Sequence, residues 1–373
     1  MTGHDWSDAL LDALRHQMDP LADEAVRVIL ASHEVPLINE LMRQLSHNDC
    51  SIPEELPDPV RDYFERTAVL PSWADVERIR LGEQIFMRYG LQSLQALMFR
   101  ALPECYASSK GAMVLASTQR LQELTQQRVL ETLGFVVDVM SPGGLEPTGR
   151  GVRSAQRVRL LHGSIRAHLL AAGRWDAAEL GLPINQEDLL GTLASFSALV
   201  VDSFDRLGAE LSPAEQDAYM HCWNVVGWIM GVREELLFHD YADGLALFQR
   251  IRQRHHQRSE HGVALTAALI DYADTLVPGE WLDGVNVSMM RHLCGDEIPD
   301  LLQVPEADWT RFVVRQYANI VDLADDIQDH SRMSAKVAER LGVSLMRAVL
   351  GSERKGSRPN FAIPQSLHER WGL

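Results

Sequence analysis

The chain has 373 residues, 46% of them hydrophobic, which is enough to bury a sizeable core and excludes a disordered protein. Its formal net charge of −17, from 52 acidic against 35 basic residues, argues against nucleic acid or an anionic membrane surface as the main partner. Four scattered cysteines (Cys50, Cys105, Cys222, Cys294) form no CxxC, so a zinc ribbon, a covalent CxxCH attachment and a disulfide framework lack support.

From the N-terminus, MTGHDWSDALLDALRHQ is polar and amphipathic and carries no secretory pattern, so a cytoplasmic protein is expected. No window reaches the roughly 18 uninterrupted apolar residues of a spanning helix. The richest, Leu189 to Phe204, is broken by Gly191, Thr192, Ser195, Ser197, Asp202 and Ser203. Helical period dominates. Over 73–89, Trp73, Val76, Ile79, Phe86 and Tyr89 recur at steps of three or seven, and Ile85 widens the stripe.

Asn185 before Glu187 and Asp188, and Ser212-Pro213-Ala214-Glu215, read as helix starts. Breaks fall at Ser141-Pro142-Gly143-Gly144, Gly181-Leu182-Pro183 and Pro278-Gly279. Helices are therefore expected near 5–31, 35–47, 73–100, 111–138, 152–172, 186–207, 213–237, 239–254, 258–276, 283–293, 306–330 and 332–351. Phe135 to Val139 is the only strand-like run. The expectation is an all-α, single-domain chain over 1–373 with a loose tail at 352–373.

Chemistry gathers on two of these helices. Arg128, Glu131 and Thr132 are spaced i, i+3, i+4 and share one face. After a glycine-rich turn comes RVRLLHGSIR (157–166), where His162 has apolar Val158 and Ile165 one turn away and Arg159 and Arg166 beside it. A neutral imidazole on a packed helix suits the proximal ligand of a b-type haem iron, and flanking arginines could pair with its propionates. The same residues also read as a satisfied core histidine and a surface Arg–Glu pair.

Rival constellations are weaker. Asp325-Asp326-x-x-Asp329 spells a magnesium–diphosphate motif without a second acidic cluster, and reads as a solvated helix face. Asp322, Asp326 and His330 step by four without the paired Glu-x-x-His of a di-metal bundle. His255-His256-x4-His261 lies on polar text and reads as a solvated face, while Trp223 and Trp228 read as core packing.

PSWADVERIRLGEQIFMRYG (71–90), RVLETLGFVVDVMSPGGLEPTGRG (128–151), RVRLLHGSIR (157–166), GLPINQEDLLGTLASFS (181–197) and AYMHCWNVVGWIMGV (218–232) together carry a resemblance. The chain resembles the family that joins bacterial latex-clearing (rubber) oxygenases with the fungal oxygenase of mycophenolic acid biosynthesis, over a core of about 70–305. The resemblance implies a globin-related multi-helix bundle around haem b, with His162 on the proximal histidine and Arg128 and Thr132 on distal polar positions. Glu131 departs from the lysine of the rubber-cleaving members, and is left as either a general base or a partner of Arg128. The implied activity is oxidation or cleavage of a C=C bond in a small or medium apolar substrate, isoprenoid or polyketide-like, using O2. A non-catalytic haem-binding or gas-sensing helical protein is the alternative, and no oligomeric state follows from the sequence.

Overall fold

A computed structural model of the chain describes residues 3–32, 34–117, 121–173, 175–276, 284–307 and 363, with 121–127 described by backbone alone. The regular elements it describes are all helical, and the one β-bridge joins Ser108 to His256. No helix among the described residues is long and apolar enough to cross a membrane.

The stretch expected as one helix over 5–31 is two, α1 (Asp8–Leu14) and α2 (Pro20–Ala31). Pro20 fits the first turn of α2, and Asp19 caps it by accepting from the Ala22 amide, so the chain stops and restarts there. After α3 (Val35–Gln44) comes an unanticipated helix, α4 (Asp58–Ala68), which begins at a proline-containing turn and buries Val60, Tyr63, Phe64 and Thr67 at helical spacing.

The helix expected over 73–100 is also divided. α5 (Val76–Arg88) starts at Asp75, which accepts from the Glu77 and Arg78 amides; its Ile79, Ile85 and Phe86 are buried, whereas Val76 is exposed. α6 (Gly90–Ala96) runs into a π turn (Leu97–Ala101), where the Leu102 amide reaches back to the Leu97 carbonyl, and then into α7 (Leu102–Ala107). Pro103 has no N–H, and the Phe99 carbonyl four residues before it accepts from Cys294 Sγ at 3.2 Å.

α8 (Ser109–Ser117), α9 (Leu121–Met140) and α10 (Gly151–Ala171) follow. The strand-like run Phe135 to Val139 lies inside α9, where Val136, Val137, Val139 and Met140 are all buried. Burial on a packed helix overrides the β preference of valine. The turn joining α9 to α10 requires glycine: a Cβ on Gly149 would lie 2.2 Å from the Gly143 carbonyl oxygen.

Next come α11 (Ala177–Leu180), α12 (Gln186–Phe196) and α13 (Ala198–Arg206), the latter two parted at Ser197 within the helix expected over 186–207. Both capping boxes are present, Asn185/Asp188 on α12 and Ser212/Glu215 on α14 (Pro213–Ile229). A 3-10 turn (Glu234–Leu236), separate from α14 within the helix expected over 213–237, then α15 (Tyr241–His255), α16 (Glu260–Leu276), α17 (Val285–Cys294) and the short α18 (Glu297–Leu301) complete the described helices. The helices expected beyond 307, the tail at 352–373 and the Asp325–Asp329 and Asp322/Asp326/His330 motifs lie outside the described residues, save Ile363.

α10 is the axle of the molecule. It packs against α2, α4, α9 and α14, and is buried on most of its circumference. Val152 and Ala155 belong to the main apolar cluster, and Leu160 belongs to a second one built from α2, α3 and α4. The close approach of α10 to α2 depends on Gly163, where a Cβ would meet Val26 Cγ2 at 3.1 Å.

Candidate functional site

A cavity of about 450 Å3 opens between α9, α10, α12 and α14, closed on other sides by α7, α8 and α15. Its walls are mainly apolar, with Phe135, Leu193, Phe196, Trp223, Val226 and Phe248 among them. Arg128, Glu131 and Thr132 from α9 and Val158, His162 and Ile165 from α10 all line it. Six of the eight site residues singled out above therefore meet at one space. The packing of α9 on α10, set by the glycine turn between them, brings the two groups together.

His162 presents part of its ring to the cavity, while its Nδ1 is buried with no hydrogen-bond partner among the described residues. Burial, aided by the positive charge of Arg166 and opposed by Asp19, lowers its pKa to about 4. The ring is neutral at ordinary pH, and no hydrogen bond engages its Nδ1 among the described residues. That is the state a metal-ligating imidazole requires. On the neighbouring helix, Arg128 donates from Nη2 to the Leu115 carbonyl at 2.7 Å. Burial lowers its pKa, partly offset by Tyr106 and Glu131.

Arg159 and Arg166 are placed elsewhere, and the expectation that they flank a cofactor rim is corrected. Arg159 lies in a buried pair with Asp19, at 2.6 and 2.8 Å, and donates to the Ile229 carbonyl. Arg166 pairs with Asp23 at 2.7 Å and also bonds the Ile184 carbonyl. Neither lines the cavity. At 159 and 166 the helix face points towards α2, and both guanidiniums are used to fasten that helix.

The cavity also has polar residues that the sequence did not reveal. Glu187 on α12 is almost fully buried, and its carboxylate is held by Arg15 at 2.8 Å, Arg254 at 2.9 Å and His255 at 3.0 Å. Although burial opposes it, these partners lower its pKa to about 2. Glu104 on α7 and His256 after α15 approach to 3.4 Å. Burial raises the Glu104 pKa to about 7, with Arg252 and Arg100 working against the shift, and lowers that of His256 to about 3.

The solvated face expected for His255-His256 is therefore corrected: both side chains are buried on the cavity wall. Their partners lie 68 and about 150 residues away in sequence, so no local pattern announces them. Trp223, expected as core, lines the cavity as well.

A separate group, His4, His239 and Asp243, has its ligand atoms within 4.8 Å of one another. The Asp243 carboxylate is already used by the His4 and His239 amides, Trp6 Nε1 and His4 Nδ1, so this cluster fastens the N-terminal segment to α15.

Residues 73–324 match the family model described as the catalytic domain of ER-bound oxygenase mpaB/B′ and rubber oxygenase. The chain is 26% identical over 298 residues to a rubber oxygenase of Streptomyces sp. (strain K30), covering 76% of this chain and 70% of the relative. It is similar in fold to a solved structure of latex clearing protein in the closed state, with a TM-score of 0.75, 21% identity and coverage of 88% and 91% of the two chains. The match over two thirds of the chain, carried on an all-helical fold, establishes that it belongs to the mpaB/rubber oxygenase catalytic-domain family and is an oxidoreductase of the oxygenase class.

Proposed function

We propose that this chain is a b-type haem-dependent oxygenase that oxidises or cleaves a C=C bond in a small or medium apolar substrate, isoprenoid or polyketide-like. The observation that carries the reading is His162: a neutral imidazole whose Nδ1 has no hydrogen bond among the described residues, at the wall of a cavity of about 450 Å3 that Arg128, Glu131 and Thr132 also line. The residues present fit the group. A neutral imidazole at the wall of an apolar cavity, with no hydrogen bond to its Nδ1 among the described residues, is available as an iron ligand.

Bound haem would supply O2 binding and the redox chemistry. His162 would hold it on the α10 side. Arg128, through its guanidinium N–H groups, and Thr132, through its hydroxyl, would donate hydrogen bonds to oxygen in the cavity. Leu193, Phe196 and Phe248 orient an apolar chain and exclude water. The Glu131 carboxylate, on the face of α9 that lines the cavity, would accept a proton from the substrate.

We read the chain as one domain, since α10 contributes to both apolar clusters, and retain the globin relationship and the cytoplasmic setting as parts of this proposal. Purified protein supplied with haem should show a Soret band and consume O2 when given an alkene. Haem uptake without O2 consumption across a panel of isoprenoid and polyketide-like alkenes would leave a haem binder in place of an enzyme.

A further inference from the structure

Glu104 and His256 line the cavity and are not used by the chemistry above, yet each has a buried polar atom without a hydrogen bond among the described residues. Glu104 is 1% exposed, and its Oε2 has no hydrogen-bond partner among the described residues; the same holds for Nδ1 of His256, whose side chain is 4% exposed. The two atoms stand 3.4 Å apart without a hydrogen bond between them. Arg252 Nη1 reaches only to 3.9 Å of the other Glu104 oxygen, and Nη2 of the same arginine pairs with Glu297 at 2.8 Å.

The pair is held in place by backbone. Ser108 and His256 form an antiparallel bridge, and the Gln257 amide donates to the Ala107 carbonyl at 3.1 Å. Gln257 Nε2 adds a bond to Ser109 Oγ at 2.7 Å, and Phe248 packs edge-on to the His256 ring at 5.9 Å. On the other side, the π turn and Pro103 fix where α7 begins. Two polar atoms positioned this firmly and left without partners cost free energy unless something in the cavity satisfies them.

We propose that Glu104 and His256 form a binding subsite for a hydroxyl group on an otherwise apolar substrate. A hydroxyl both donates and accepts, so it satisfies a carboxyl oxygen and an imidazole nitrogen together, whichever of the two carries the proton. A carbonyl or ether oxygen only accepts, and a hydrocarbon satisfies neither. Burial favours the uncharged form of both groups, which suits a neutral alcohol over a cation or an anion. The inference deepens the proposed function by giving its substrate one polar end, and rests on that reading only for what happens at the other end.

The test is calorimetric titration of the purified protein, at its native haem content, with octan-1-ol and with 1-chlorooctane. Wild type should bind the alcohol about tenfold more tightly than the chloride. Glu104→Leu and His256→Leu should each weaken octan-1-ol about tenfold while leaving 1-chlorooctane within about twofold, which also reports an intact cavity. Equal affinities in wild type, binding of neither probe, or alcohol binding indifferent to both substitutions would overturn the subsite. A protein that discriminates the probes as expected but takes up no haem would support the subsite and refute the haem reading alone.

Discussion

The site residues expected from the sequence divide into those fastened to other helices and those that line the cavity. Arg159 belongs to the first kind, and the substitution Arg159→Met would leave Asp19 buried and uncompensated. It should cost about 3–5 kcal/mol in urea unfolding while leaving the absorption spectrum of the folded, haem-loaded protein unchanged. A spectral change with unaltered stability would return Arg159 to the cofactor. Thr132→Val removes one hydroxyl from the cavity wall and should lower O2 affinity about two- to tenfold, measured by flash photolysis or stopped flow. His162, Arg128 and Thr132 stand out through the family resemblance, since by spacing alone they read equally as a core histidine and a surface pair; the structure puts all three at the wall of one cavity. Glu104, Glu187, His255 and His256 were not legible, because charged residues scattered over about 150 positions become a site only after the helices pack.

Capping chemistry made most helices readable, and the misses have definite local causes. Asn185 and Ser212 announce α12 and α14 through side chains that accept from backbone amides three residues on. His221 shows a start signal that sequence cannot display: its Nε2 accepts the Asp75 amide from 146 residues away. Breaks at Pro20, at Gly90 and at Ser197 divide amphipathic stretches whose hydrophobic period continues across them, so periodicity alone merged them. α12 is tied to α1 and α15 through Glu187, which holds Arg15, Arg254 and His255. Glu187→Ala should therefore destabilise the protein by about 3–5 kcal/mol in chemical denaturation, far more than the loss of an exposed pair. At the α2–α10 contact, Gly163→Val places methyl groups against Val26 and should cost about 1–3 kcal/mol.

For the molecule as a whole, three histidines are held neutral by burial: His162 and His221 with pKa values of about 4, and His256 at about 3. Above the ordinary histidine pKa of 6.5 they are neutral in both folded and unfolded chains and contribute nothing to pH dependence. Below it the unfolded chain binds protons that the folded one refuses, so stability falls as pH drops from 6.5 towards 4. For His162 the span from 6.5 to about 4 sets an upper limit on the order of 3 kcal/mol. Glu187, depressed to about 2, adds to the loss below its ordinary pKa of 4.5. Glu104, raised to about 7, works in the opposite sense, favouring the folded state towards acid pH. Asp23, Glu83 and Asp188, also raised by burial, act in the same sense as Glu104 but from lower ordinary values. Between pH 7 and pH 5, above the range where Glu187 acts, the three histidines set the sign, and the thermal midpoint of the haem-free protein should fall; a midpoint that rises would contradict the neutral-histidine assignment.

The central claim is that His162 holds the cofactor at the wall of this cavity. It is tested most directly by optical spectra, oxidised and reduced, with and without CO, of wild type and His162→Ala after haem is supplied to both. The account predicts a Soret band in wild type that shifts on reduction and CO binding, and a variant that keeps its helical circular dichroism but loses the haem or the wild-type spectrum. A folded His162→Ala protein with undiminished haem content and an unchanged spectrum would contradict it.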